Sequence, residues 1–577
     1  SAGVITLEGV VIPTISSTNT LTNKTLTTPV INIGSDASGD MYYRNSGGAF
    51  TRIAVGSDNH ILTLNGAVPG WEAASSGGAS TLDGLTDVIS NITDFTDSIL
   101  ISPDGAAPPH GTLDAAAGNV GIGKDVFAVL TSGDDNVGIG KNSLKTLTTG
   151  GGNIAIGRDT LGLSGDTNTN NTVVGHSAGR YLDNAHYNVA IGAIANATAN
   201  AGDYNVSIGY GSMYAASGTC DGNIGIGQSS LRSLDGGDYN IGIGGNAGYA
   251  ITSGSKNIYI GYQAGDGSDA ESGMIGIGEG ALGGTNQGGA YNIAIGNNAM
   301  LTATSATYTV AIGQGAGQNT STGGNNVFVG ANAAYANTTG TRNIAIGRNA
   351  YDASDTENDN IAIGYAAMTT NTAGGEYNIA IGNYSLDALT SGDKNIAVGY
   401  NASGANLAGE SNTAIGHEAN LYVTGGSNNT LIGKQAGLGQ SGEAGGNDNV
   451  SIGKGSFLYW TTGYQNTLVG TNAGTKIRSG HSNVGIGYNT YSQAWHDGDY
   501  NVAVGHSALD RVNGSDKNIA IGYQAGNNIT TGDNNVVIGA ADVASATGDD
   551  QLSISSGDGS PVWITGDSTG GIYSKAG

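Results

Sequence analysis

The stretch NIAIGRDTLGLSGDTNT, Asn153 to Thr169, sets a β-branched run before a glycine and a small polar tail. It has the look of a phosphate-cradling loop. Such a loop is needed once, yet this one returns almost at once as NTVVG, NVAIG, NVSIG and NIGIG. The P-loop Lys-Ser/Thr is missing, and no long amphipathic helix follows. The stretch is a repeat unit.

Counting the Asn of N-[IV]-x-[IV]-G as position 1, 25 copies run from Asn119 to Asn535. The mean step is about 17 residues, and regularity of that kind marks a solenoid whose coils stack on one another. The one long coil, 20 residues, lies between Asn429 and Asn449. The expected fold is all-β, a parallel β-solenoid of the β-roll or β-helix kind.

Each position has a physical reading. Position 4 is Ile or Val in every copy, and position 2 is Ile, Val or Thr. They alternate with positions 1, 3 and 5, so they share one face of a short strand, expected to point inward. Position 5 is always glycine, ending the strand in a bend that a Cβ would obstruct. Position 1 is Asn except at Met274 and Thr309, which predicts a ladder of stacked amides. Position 8 is Ala or Ser in 21 copies, which predicts a second, tightly packed strand near positions 6 to 10. Position 3 is mostly Gly, Ala or Ser, as at Ala155, Ala190, Ala345 and Ala520. Small residues on an outward face predict that another chain covers it, and a thin coil buries little apolar surface by itself. A homotrimer follows as the expected assembly.

Composition narrows the function. Among 577 residues there are 102 glycines, 7 prolines and one cysteine, Cys220. Collagen and an internal disulfide are excluded. Acidic residues outnumber basic ones 46 to 20, with no Lys/Arg cluster, so nucleic acid is not an expected partner. No apolar run reaches membrane-helix length and no secretion signal is visible, so no membrane insertion is expected.

The N-I-A-I-G-x-x-A register, residues 119 to 545, resembles the head repeats of trimeric autotransporter adhesins, a trimeric β-roll. TLTNKTLTTPVIN (Thr20–Asn32), GDMYYRNSGGAFTRIAVGSDNHILTLNGAVPGW (Gly39–Trp71) and STLDGLTDV (Ser80–Val88) resemble segments of bacteriophage tail fibres. The resemblance implies a trimeric fibre on the virion, its N-terminal end on a tail, baseplate or adaptor protein and its distal end on a host-surface glycan or protein. It also implies a self-cleaving chaperone segment after the chain's last residues. The competing class is a bacterial cell-surface adhesin or extracellular filament. Three regions are expected: an attachment region with linker over 1–112, including the Pro/Gly-rich hinge Ser102–Gly111; the solenoid over 113–545; and a cap or tip of a few strands over 546–577.

No cofactor, metal or catalytic residue is expected. The eight histidines lack zinc-ligand spacing, and His176, His417 and His506, all at position 6, read as rim residues. Calcium-binding β-roll and EF-hand spacings are absent. Glycan cleavage by paired carboxylates is the enzymatic alternative, but the Asp residues lie mainly beside turn glycines. Lys124, Lys141, Arg158 and His176 form a short cationic ladder, better read as pairing with Asp than as an anionic-glycan site. The candidate receptor residues are Tyr459, Trp460, Tyr464, Tyr491 and Trp495, with Phe457 nearby, where the repeat is disturbed, and Trp563 at the tip. They suit either stacking on sugar rings or packing between chains.

Overall fold

The computed structural model describes residues 116–574 except 164–166, 198–201, 285–288 and 371–373. Before residue 116 it describes 6–7, 10–11, 41–48, 50–54, 60–65, 68–73, 88–90 and 99–101. The Thr20–Asn32 segment, most of Ser80–Val88 and the Ser102–Gly111 hinge lie outside the described residues. Gly39–Trp71 contributes two antiparallel hairpins, Met41–Arg44 with Phe50–Ile53 and His60–Asn65 with Val68–Ala73.

Among the described residues every regular element is a strand. Each repeat supplies one three-residue strand at positions 2 to 4, from Val120–Ile122 to Val536–Ile538. Each strand pairs in parallel with the next, in register, as in Ile344↔Ile361 and Ile346↔Ile363. The chain is a parallel β-solenoid of about 25 turns. At about 4.8 Å per step, 24 steps span roughly 115 Å.

The amide ladder is present and nearly continuous. Asn136 donates its backbone N–H to Asn119 Oδ1 at 2.9 Å, and its Nδ2 donates to the Gly150 carbonyl at 3.0 Å. The pattern recurs to Asn535, whose N–H reaches Asn518 Oδ1 at 2.9 Å. Thr309 substitutes a hydroxyl, accepting from Asn326 N–H at 3.4 Å. Full burial makes each of these bonds stabilising and each missing one expensive. The position-5 glycines hold φ values that L side chains avoid: at Gly347 φ is +137°, and a Cβ would collide with the Gly364 carbonyl. Only glycine lets successive coils approach this closely.

Two expectations are overturned. The strand faces the other way: position 3 points into the coil, and Ala155, Ala190, Ala345 and Ala520 are fully buried. Positions 2 and 4 lie on the outside, partly exposed, with Ile346 at 37% and Ile486 at 42%. Size decides the orientation. The interior of a 17-residue coil is narrow, and a large inward side chain fits only beside a small one in the next coil. Tyr259 is paired between Gly242 and Gly276, and Phe328 between Ala311 and Ala345. The remaining core comes from other positions: Leu147, Leu182, Leu234 and Leu389 at position 12, and Phe127, Leu144 and Met213 at position 9.

The second strand is also absent. Position 8 is buried as a tight contact, but positions 6 to 10 form turns with positive φ at positions 7 and 9, as at Asn142 (60°) and Leu144 (51°). Left-handed residues cannot continue a strand. Their amides bond from coil to coil instead: Asn142 N–H to Lys124 O at 2.9 Å, and Leu144 N–H to Thr160 O at 3.0 Å.

The stack ends in antiparallel strands at both ends. Ile99–Ile101 continues the parallel sheet upstream of Asn119 and is itself paired with Val88–Ser90. At the other end Leu552–Ser555 adds in parallel, followed by Val562–Gly566 and Ile572–Ser574 as antiparallel strands. Switching direction ends the open parallel edge, which would otherwise template pairing with other chains.

Candidate functional site

Two surfaces stand out. The first is the outward face of the sheet. Two side chains per repeat over 25 repeats give fifty positions, of which 46 are Ile or Val and four are Thr (Thr172, Thr413, Thr430, Thr467). None carries a charge. Neighbours above and below cover much of each side chain, yet the band as a whole exceeds the few hundred Å² of contiguous apolar surface that monomers usually expose.

Tyrosines border this stripe. At the residue before position 1 stand Tyr187, Tyr204, Tyr239, Tyr291, Tyr308, Tyr377 and Tyr500. At position 6 stand Tyr210, Tyr262, Tyr365, Tyr400, Tyr488 and Tyr523. All are exposed. Adjacent rings stack along the axis, Tyr187 on Tyr204 at 5.0 Å and Tyr291 on Tyr308 at 5.4 Å. Towards the C-terminal end histidines join the rings: Tyr464–His481–Tyr500 on one side, with Tyr464 and His481 two residues before position 1, and Tyr488–His506–Tyr523 on the other. Tyrosine at a rim presents an apolar body and a polar tip, a composition common at protein interfaces.

The second surface is the disturbed region after the long coil. Trp460 and Tyr491 are not surface residues, which corrects their place among the receptor candidates. Trp460 is fully buried, stacks on Phe457 at 4.8 Å and donates Nε1–H to the Gly437 carbonyl at 2.9 Å. Tyr491 is buried against His496, with parallel rings 5.1 Å apart. Trp460 is a core residue of its coil at position 12, the place Leu holds elsewhere. Trp495 counts as position 13, but a bridge aligns His496 with Ile477, itself at position 12 of the preceding coil. Extra residues earlier in that coil thus put His496 inside and Trp495 outside, in line with Lys476.

The structure brings Tyr459 and Trp495 together: both are exposed, with ring centroids 5.8 Å apart, edge to face. Arg478 Cζ lies 5.4 Å from the Trp495 ring centre and is held by Asp497 at 2.6 Å. Tyr464 stands apart from them, stacked on His481 at 4.5 Å. Trp563 is exposed on the terminal hairpin, beside a shallow hollow of about 300 Å³ with Tyr573.

No known family, curated protein or solved structure matches this chain.

His176, His417 and His506 are exposed on the rim. Arg158 contacts His176 and lies 3.5 Å from Asp159, so that part of the cationic ladder is locally paired. Among the described residues no cluster of three or more His, Cys, Asp or Glu side chains is arranged to hold a metal, and no helix is long and apolar enough to cross a membrane. Cys220 is buried. Burial lifts the carboxyls of Asp266, Asp352 and Asp387 above the usual range, Asp387 to about 6. All three hold position 10, a recurrence the sequence reading passed over.

His496 predicts an acid-sensitive coil. Burial lowers its imidazole pKa from 6.5 to about 4, against the opposing pull of Asp497 and Asp516. Its Nδ1 has no hydrogen-bond partner. Below pH 6.5 the unfolded segment binds a proton that the folded one refuses, so stability is complete above pH 6.5 and falls as the pH drops towards 4. The loss is on the order of 3 kcal/mol for a shift of this size. Hydrogen-exchange protection factors around Val484–Ile486 and Val502–Val504 should drop between pH 7.5 and 4.5, and His496→Leu should remove that drop. Equal protection of the wild-type coil at both pH values would contradict it.

Proposed function

We propose that this chain is a non-enzymatic fibre protein of a bacteriophage virion. Three copies pack side by side along the Ile/Val stripe, and the fibre attaches the particle to a glycan or protein of the host surface. The observation that carries the reading is the uninterrupted outward stripe. An apolar band roughly 115 Å long, repeating about every 4.8 Å, is matched along its whole length by a surface with the same repeat, and a second copy has one. The stripe is only two side chains wide and edged by tyrosines, which suits three chains converging on one axis. The N-terminal segments resembling tail fibres favour a virion over a cell envelope and place the tail, baseplate or adaptor contact at that end. The irregular coils from Asn429 onward and the terminal hairpin supply the individuality that a uniform shaft lacks.

Light scattering on the purified chain tests the assembly, with an expected mass three times the 57.3 kDa of one chain. Antibody against the chain should decorate virion tails in electron micrographs, and the purified protein should compete with infection. Decoration of the bacterial envelope instead would replace this reading with a surface adhesin.

A further inference from the structure

The groove beside Tyr459 and Trp495 has a chemistry of its own. Three successive coils, starting at Asn449, Asn466 and Asn483, place Tyr459, Lys476 and Trp495 in one line on the surface, the last by the His496–Ile477 register. The two rings reach across the intervening coil to meet at 5.8 Å. Lys476 lies between them, its Nζ 5.8 Å from the Trp495 ring centre and donating to the Gln493 carbonyl at 2.7 Å. Tyr459 and Lys476 line a groove of about 400 Å³ with Asn472, Asn489, Ser492 and Gln493, and Trp495 stands beside it against Tyr459 and Lys476. The long coil closes on the same place, with Gln440 Nε2 3.4 Å from the Tyr459 carbonyl.

The lining fits one class of ligand. Aromatic faces take the C–H surfaces of a pyranose. Amides and hydroxyls both donate and accept, as sugar hydroxyls require. Asn472 Nδ2 donates to Asn489 Oδ1 at 3.0 Å, leaving Asn489 Nδ2 and the Gln493 side-chain amide with no partner among the described residues. Charge narrows the class further. In a chain with 46 acidic and 20 basic residues, no carboxylate lines this groove. Lys476 has no ion-pair partner among the described residues, whereas the neighbouring Arg478 is neutralised by Asp497. An ammonium beside an aromatic ring and without an ion-pair partner is suited to a carboxylate on the bound sugar.

We propose that this groove binds a carboxylated sugar residue, of uronate or sialate type, within a surface polysaccharide. The pyranose face rests on Trp495 and Tyr459, and the carboxylate pairs with Lys476. This rests on the attachment function proposed above and names its ligand class. Arg478, itself paired, acts as a positioning residue that holds the Trp495 ring.

The test uses the full chain and measures binding by calorimetry and saturation-transfer NMR. The probes are oligosaccharides of glucuronate, galacturonate and N-acetylneuraminate, each alongside its methyl ester. At least one acid should bind, and its ester should bind at least tenfold more weakly. Lys476→Gln should weaken the acid about tenfold while leaving the ester unchanged, and Trp495→Ala should abolish binding of both. Both side chains are at the surface, so the far-ultraviolet spectrum should be unaltered. No binding to any acid, equal binding of acid and ester, or full binding by Trp495→Ala would overturn the proposal. Host-cell adsorption separates this failure from that of the wider reading. Should both variants adsorb like the wild type, the groove is not the site and attachment stands; should the wild-type chain itself not adsorb, the attachment reading falls.

Discussion

Ala362→Asp is expected to break the solenoid at its own coil, whereas Ile363→Asp, one residue further on, is expected to leave the coil folded. Ala362 is fully buried, in register between Ala345 and Ala380. A carboxylate there is buried in the hydrophobic cluster with no cation to pair with, and an unpaired buried charge costs several kcal/mol or forces the group to take up a proton. Ile363 is only partly buried, on the outer face. A charge there keeps its water in an isolated chain, and the fold should lose no more than about 1 kcal/mol. Since each coil contacts only its neighbours, the damage should stay local and divide the shaft into two cooperative blocks. Hydrogen exchange would show it as lost protection in Ile344–Ile346 and Ile379–Ile381 for the first variant alone. The opposite order of damage would mean that the strand faces are reversed.

That reversal was the hardest feature to read from the sequence, for a physical reason. Repetition made the period, the Asn ladder and the position-5 glycine legible, because one constraint is written 25 times. A three-residue strand, however, offers two faces and only one alternation. Apolarity alone then assigns Ile and Val to the interior, although the interior is limited by volume. The size pattern held the missing signal. Position 3 accepts Tyr259 or Phe328 only where the adjacent coils carry Gly or Ala, a coupling expected of residues sharing one narrow space. The leucines at position 12 and the large residues at position 9 already supplied a core, which removed the need for Ile and Val inside.

The aromatic cluster was legible only in composition. Counting from each Asn sets Trp460 and Trp495 almost level. The bridge between Ile477 and His496 shows that they occupy different sides of the coil wall. This 18-residue coil carries two residues more than its neighbour before the bridge and one fewer after it, and no sequence rule says where such shifts fall. Tyr491 was lost to the interior similarly, because position 9 turns inward through a left-handed residue with φ of 49°.

The second large effect concerns assembly. Ile346→Lys combined with Ile363→Lys is expected to convert the trimer into folded monomers of 57.3 kDa. Both residues lie on the outward stripe in adjacent coils, so three chains meeting there would bring six ammonium groups close to one axis. Each would have to shed water without a counter-charge, since the stripe contains none. Burying even one such unpaired charge costs more than a typical contact of the stripe provides. The solenoid itself should be unaffected, since lysine on an exposed strand face keeps its charge in solvent and lays its methylenes along the sheet. Thr339→Lys serves as the control: it adds one ammonium at an exposed bend in the coil just before that of Ile346, away from the strand, and it should leave the mass at three chains. Light scattering and far-ultraviolet spectra on the two variants decide the matter. A trimer that survives the double substitution would mean that the chains meet through another face. A wild-type monomer would leave the stripe open to solvent, and the tyrosine rows would then have to be explained without a neighbouring copy.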